Sequence, residues 1–141
     1  MLSDTKAVDV LSSSRKVTHA ELILWDEDGD DPDMVKLSLR SLEREITKVD
    51  TDFFAALCSI RAELEKESLL LDCYGASRNV YPSTMIRSMG TGDKAYKLYM
   101  RQPAKQEDIV SIFDTGSDVL PTTVSDQEEY YKEWLRSLGG S

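Results

Sequence analysis

Two runs of strand-forming residues flank an octapeptide that is almost wholly acidic, and this arrangement constrains the fold more than any other feature of the chain. The first run ends in Leu22-Ile23-Leu24-Trp25. In the second, Val35, Leu37 and Leu39 alternate with Lys36, Ser38 and Arg40, the period-two pattern of a half-buried strand. Between them stands Asp26-Glu27-Asp28-Gly29-Asp30-Asp31-Pro32-Asp33, six carboxylates in eight residues, with a glycine and a proline suited to a turn. The pattern predicts a β-hairpin with an acidic tip. A competing helical reading of the first run remains open, since Thr18 and Glu21 could form a capping box with Val17 and Leu22 as a hydrophobic staple.

Downstream, Leu42, Ile46, Val49, Phe53, Leu57, Ile60 and Leu64 recur at intervals of three and four, one stripe of a 3.6-residue period. The stripe predicts one long helix over about 41–66. Asp50-Thr51-Asp52 could instead cap a separate helix, with a break near Lys48. Leu69 to Tyr74 reads as a further strand with Leu69, Leu71 and Cys73 on one face. The stretch between Gly75 and Gly92 has little regular period and reads as a functional loop or as a short helix with turns. Lys94 to Arg101 reads as a half-buried strand with a basic outer face, and Ile109 to Phe113, apolar on both faces, as a central strand. Ser125 with Glu128 signals the start of a C-terminal helix presenting Tyr131, Trp134, Leu135 and Leu138, with Gly139 at its C-cap. Residues 1–16 and 139–141 read as loose ends. The expected architecture is one α+β domain over 1–141: a mostly antiparallel sheet of about five strands, one long central helix and a C-terminal helix.

Of 141 residues, 40% are hydrophobic and 30% charged, proportions of a chain that folds by itself. The first residues lack the basic and apolar segments of an export signal, and no apolar run approaches the roughly 20 residues needed to span a bilayer. A cytoplasmic protein without membrane insertion is expected. Cys58 and Cys73 lie in apolar surroundings and are expected to be reduced and buried.

Signals for catalysis and metal binding fail on spacing. In the acidic loop the glycine falls at the fourth place and the twelfth residue from Asp26 is Leu37, so an EF-hand lacks both its turn glycine and its bidentate ligand. Gly90-Thr91-Gly92-Asp93-Lys94 has too few residues between its glycines for a P-loop and no hydroxyl after the lysine. His19 is the single histidine and reads as structural, which leaves the usual acid–base and metal constellations without a second member. No enzyme activity, metal or cofactor is expected. Arg78, Tyr81, Arg87, Lys94, Lys97, Tyr99 and Arg101 interleave cations with aromatics in a way that could hold single-stranded nucleic acid, but a net charge of −9 opposes it. The same charge favours a basic protein partner over nucleic acid or an anionic membrane.

The stretch from Tyr74-Gly75-Ala76-Ser77 to Tyr81-Pro82-Ser83, then Met89-Gly90-Thr91-Gly92, then Asp126-Gln127-Glu128 to Trp134-Leu135, together with small size and acidity, resembles the immunity proteins that bacteria carry beside polymorphic toxins, including those of contact-dependent growth inhibition. That resemblance implies a protein that binds one cognate toxin, commonly a basic nuclease, and blocks its active site or substrate groove. Asp26, Glu27, Asp28, Asp30, Asp31 and Asp33 would stand in for phosphates, and Trp25, Tyr74, Tyr81 and Tyr99 would be anchors. The alternatives are an acidic DNA mimic or anti-restriction protein, and a small regulatory adaptor.

Overall fold

A computed structural model describes residues 3–139. Four strands, β1 (Ser3–Ser12), β2 (Val17–Trp25), β3 (Val35–Arg40) and β4 (Glu45–Asp50), follow one another as antiparallel hairpins. Helix α1 (Phe53–Glu65) then crosses the sheet, and β5 (Leu69–Asp72) returns to pair with β1, giving the order β4-β3-β2-β1-β5. A second antiparallel sheet is built from β6 (Val80–Tyr81), β7 (Lys94–Lys97) and β8 (Ile109–Ser111) in the order β6-β7-β8. Helix α2 (Thr84–Ser88) lies between β6 and β7, and α3 (Val124–Ser137) closes the chain. The α+β class, the five-stranded antiparallel sheet and the hairpin around the acidic loop agree with the sequence reading.

The core forms where the inward rows of the large sheet meet α1. Alternation places Val8, Val10, Leu22, Leu37 and Leu39 on one face, all buried, against Phe53, Phe54, Leu57, Ile60 and Leu64 of the helix. Asp52 starts α1: its backbone is extended and its Oδ1 accepts the Ala55 N–H at 2.8 Å. Arg87 of α2 grips the same carboxylate through two nitrogens, at 2.7 and 3.1 Å, so α2 is tied to the start of α1. Gly92, at φ +77°, passes so close that a Cβ there would lie 2.6 Å from the Asp52 Cβ.

Several expectations from the sequence are overturned. Residues 3–12 are not a loose end: β1 lies between β2 and β5 and buries Val8 and Val10. Gly139, with φ +87°, ends the last helix in the left-handed conformation expected of its cap, whereas Met1, Leu2, Gly140 and Ser141 lie outside the described residues. The helix expected over 41–66 is a strand and a shorter helix. Leu42 stands fully exposed in the β3–β4 turn and Val49 faces outward, so their fit to the helical stripe is coincidental. The β-branched Ile46, Thr47 and Val49 favour the strand, and Asp52 caps the helix that follows.

The segment Ile109 to Phe113 is not central either. Its strand is an edge of the small sheet, and Ile112 and Phe113 are buried beyond the strand's end, where Phe113 meets the Phe53 ring edge-on at 5.7 Å. The strand expected over Lys94 to Arg101 ends at Lys97, and Arg101 turns the chain with φ +65° while its N–H donates to Ser137 Oγ. Thr123, not Ser125, caps α3 by accepting the Asp126 N–H at 3.2 Å. Tyr131 and Trp134 pack inward, but Leu135 and Leu138 are exposed.

Gly75 sits under α1, where a Cβ would come within 2.5 Å of Leu57 Cδ2 and 2.9 Å of Ile112 Cβ. Gly75→Ala is therefore expected to overpack the core and cost about 1–3 kcal/mol, read as a lower denaturation midpoint at unchanged slope. An unchanged midpoint would show that the turn yields without strain.

Candidate functional site, an acidic hairpin tip and cleft

The β2–β3 connection is held by its own backbone. Asp28 N–H donates to Met34 O at 2.8 Å, Met34 N–H to Asp31 O at 3.1 Å and Asp31 N–H to Asp28 O at 3.2 Å, while Asp31 Oδ1 accepts the Asp33 N–H at 3.0 Å. These bonds fix where the carboxylates stand. Among the described residues, none of Asp26, Glu27, Asp28, Asp30, Asp31 and Asp33 takes part in an ion pair. No cation among the described residues therefore cancels their field at contact distance.

The basic segment is different. Arg78 pairs with Asp126, Arg87 with Asp52 and Lys97 with Asp118, so three of its six cations are matched by carboxylates of the chain itself. The tip gathers six carboxylates without such a partner into eight consecutive residues.

Trp25 ends β2 at the base of the tip. It is half-buried, and its register partner Lys36 places Nζ 4.7 Å from the indole centroid, a contact worth about 0.5–1 kcal/mol at such a site. Its neighbour Asp26 faces a cleft of about 350 Å3 between the end of the large sheet and the small sheet. Asp4 of β1, Asp93 before β7 and Asp114 after β8 join Asp26 on its walls, while Leu24, Phe53 and Phe113 supply apolar lining. Lys6 and Lys94 also reach it, so four carboxylates stand against two ammonium groups.

Sequence reasoning missed Asp4, Asp93 and Asp114. Asp4 lies in the segment read as a loose end, and the other two are brought in by turns whose direction no periodicity encodes.

Tyr74 and Tyr81 stand apart from this group in their contacts. Tyr74 donates its hydroxyl to Asp118 at 2.6 Å, a bond that raises its pKa above the ordinary tyrosine value, and Lys97 lies over its ring. The hydrogen bond from Tyr74, with that from Lys97, holds the Asp118 carboxyl below its usual range. Tyr81 stacks on Tyr131 at 4.2 Å between ring centroids and meets Phe54 edge-on. Both rings are thus committed to internal packing, and Tyr99 is exposed.

The cysteines are held in the core, whereas His19, read from the sequence as structural, lies on the surface. Burial pushes the Cys73 thiol up to about 11 and raises that of Cys58, so both are poor nucleophiles. His19 is exposed on the outer face of the sheet, with Nδ1 2.6 Å from Asp9 Oδ1 across the β1–β2 pair. No group of His, Cys, Asp and Glu among the described residues is arranged to hold a metal ion. None of their helices is long and apolar enough to cross a membrane.

Fold and site together define an α+β domain with an acidic hairpin tip. No family model matches the sequence, and no curated protein is detectably similar to it.

Proposed function

We propose that this chain is an immunity-type binding protein that captures a basic toxin through the acidic edge and blocks that toxin's active site or substrate groove. The observation that carries the reading is the set of six carboxylates that form no ion pair among the described residues, on a hydrogen-bonded hairpin tip beside a half-buried tryptophan. Long-range attraction between such a tip and a partner of opposite sign accelerates their association. The resemblance to immunity proteins supplies the class of partner, a basic nuclease.

A DNA mimic would need carboxylates spread along an extended face. On the outer face of the large sheet they are instead interleaved with cations, as in the Arg40–Glu45 pair. Expression of the product of the neighbouring gene, with and without this chain, tests the reading. Growth is expected to arrest with that product alone and to recover when the chain is co-expressed and co-purifies with it. Arrest that persists despite equal expression of a folded chain would reject the immunity role.

A further inference from the structure

Of the four strands at sheet edges, β4 is the longest, with six residues against four in β5, two in β6 and three in β8. Its ladder with β3 runs unbroken from Arg40↔Glu45 to Val35↔Asp50. The Ser41 N–H donates to Arg44 O at 2.9 Å, which sets the phase of that ladder. In an antiparallel pair, residues that exchange hydrogen bonds alternate with residues that do not, so Ile46, Lys48 and Asp50 bond to β3. The backbone N–H and C=O groups of Glu45, Thr47 and Val49 therefore point away from the sheet. Among the described residues these groups have no partner.

Such an edge is a template for another strand unless proline, a bulge or a free charge blunts it. Strand β4 has neither proline nor bulge, and its one lysine is drawn onto α1, with Lys48 Nζ 2.6 Å from Glu63 Oε1. Val49 is left 45% exposed.

A second copy of β4 laid antiparallel must set outward-bonding residues against outward-bonding residues, so the possible registers differ by steps of two. Centring the pair on Glu45, Ile46 or Lys48 sets Glu45 on Glu45, Arg44 on Lys48 or Lys48 on Lys48, like charges that oppose pairing. Centring it on Val49 carries Glu45 past the strand to the start of α1 at Phe53. Centring it on Thr47 pairs the whole strand: Thr47 meets Thr47, Glu45 meets Val49, Ile46 meets Lys48, and at both ends Arg44 of one copy meets Asp50 of the other. The ends match in hydrogen bonding as well as in charge. Arg44 binds Glu67 through Nη1 and Nη2, and Asp50 accepts the Thr51 N–H on Oδ1. Among the described residues Arg44 Nε–H and Asp50 Oδ2 have no partner, one a donor and the other an acceptor.

We infer that β4 is a self-association edge, through which two copies of this chain pair antiparallel about Thr47 and join their five-stranded sheets into one. None of residues 26–33 lies in the paired strands, so the acidic tips stay outside the ladder. The net charge of −9 on each copy opposes approach, and screening over about 8 Å at 0.15 M salt lowers that cost.

Sedimentation equilibrium at about 0.15 M salt reads the mass over a concentration series. The parent is expected to rise from 15.9 kDa toward the mass of two copies. Thr47→Pro removes an outward N–H that β3 does not use, and is expected to weaken association by about tenfold or more. Arg44→Asp and Asp50→Arg each set like charges opposite one another in a pair of identical copies, and are expected to weaken it similarly. Mixed in equal amounts, the two variants regain opposite charges at both ends of the ladder, and association is expected to return. Circular dichroism establishes that each variant is folded, since Arg44→Asp also loses the Glu67 pair. If Thr47→Pro fails to fold the mixture decides, and if a charge variant fails Thr47→Pro decides.

A parent that stays at 15.9 kDa throughout overturns the proposal and leaves the edge to an extended segment of a different protein. Association that survives Thr47→Pro in a folded chain places the contact on another face and overturns it too. So does a mixture of folded charge variants that associates no more tightly than either alone.

Discussion

Replacing Arg61 by alanine is expected to cost about 3–5 kcal/mol of folding stability, because a buried and a partly buried acceptor lose their donors together and a cavity opens. Arg61 projects from α1 and is only 2% exposed. Its guanidinium donates to Gln127 Oε1 at 2.6 Å, Thr122 O at 3.0 Å and Gly75 O at 3.1 Å, and no carboxylate accepts from it. Desolvation lowers its pKa below the usual arginine value, yet neutral polar groups solvate it in place of water. Gln127 completes the network from α3: its Nε2 shares two N–H donors among the carbonyls of Gly75, Ser77 and Val80, at 2.9, 3.0 and 2.9 Å.

Alanine at position 61 would leave Gln127 Oε1 and Thr122 O without these donors, at about 1–3 kcal/mol each, and open a cavity besides. Urea denaturation of the variant measures the loss. A double-mutant cycle with Arg61→Met and Gln127→Leu should show a coupling of about 1–3 kcal/mol, since removing both partners leaves fewer orphaned groups than removing one. A loss below about 1 kcal/mol for Arg61→Ala would show that water replaces the guanidinium at little cost.

That network also shows where sequence reasoning stops. The β2–β3 hairpin was legible because its alternation and its turn residues are local, and Phe53, Leu57, Ile60 and Leu64 were legible as one helical face. The stripe misled where Leu42, Ile46 and Val49 continued its spacing by coincidence. Periodicity counts apolar positions and does not register that three β-branched residues within four positions prefer a strand.

Strand β1 was hidden for another reason. It buries only Val8 and Val10, and its central place follows from pairing with β5, whose partners lie some 60 residues away. Arg61 and Gln127 look in sequence like ordinary polar positions of amphipathic helices, and only the approach of α3 to the Gly75 turn gives them partners. The acidic tip was visible as composition. The cleft, assembled from five separate segments that bring Asp4, Asp26, Phe53, Asp93 and Asp114 together, was not.

Neutralising the hairpin tip is expected to slow capture of the basic partner by about tenfold or more at low salt while leaving dissociation nearly unchanged. Asp28, Asp30, Asp31 and Asp33 replaced by asparagine remove four of the tip's six negative charges. Asparagine is the suitable replacement at position 31, because its amide oxygen can still accept the Asp33 N–H bond that shapes the turn. Attraction between exposed charges decays over a Debye length of about 10 Å at 0.1 M salt, so the difference between variant and parent should shrink as salt rises.

Trp25→Ala is expected to act in the opposite way. The half-buried indole at the base of the tip would bear on the dissociation rate, with little effect on steering. Surface plasmon resonance against the neighbouring gene product, with salt varied, separates the two rates. Equal association of parent and tip variant at every salt concentration would show that the six carboxylates do not guide the partner. The contact surface would then have to be sought first on the basic strand around Lys97 and Arg101.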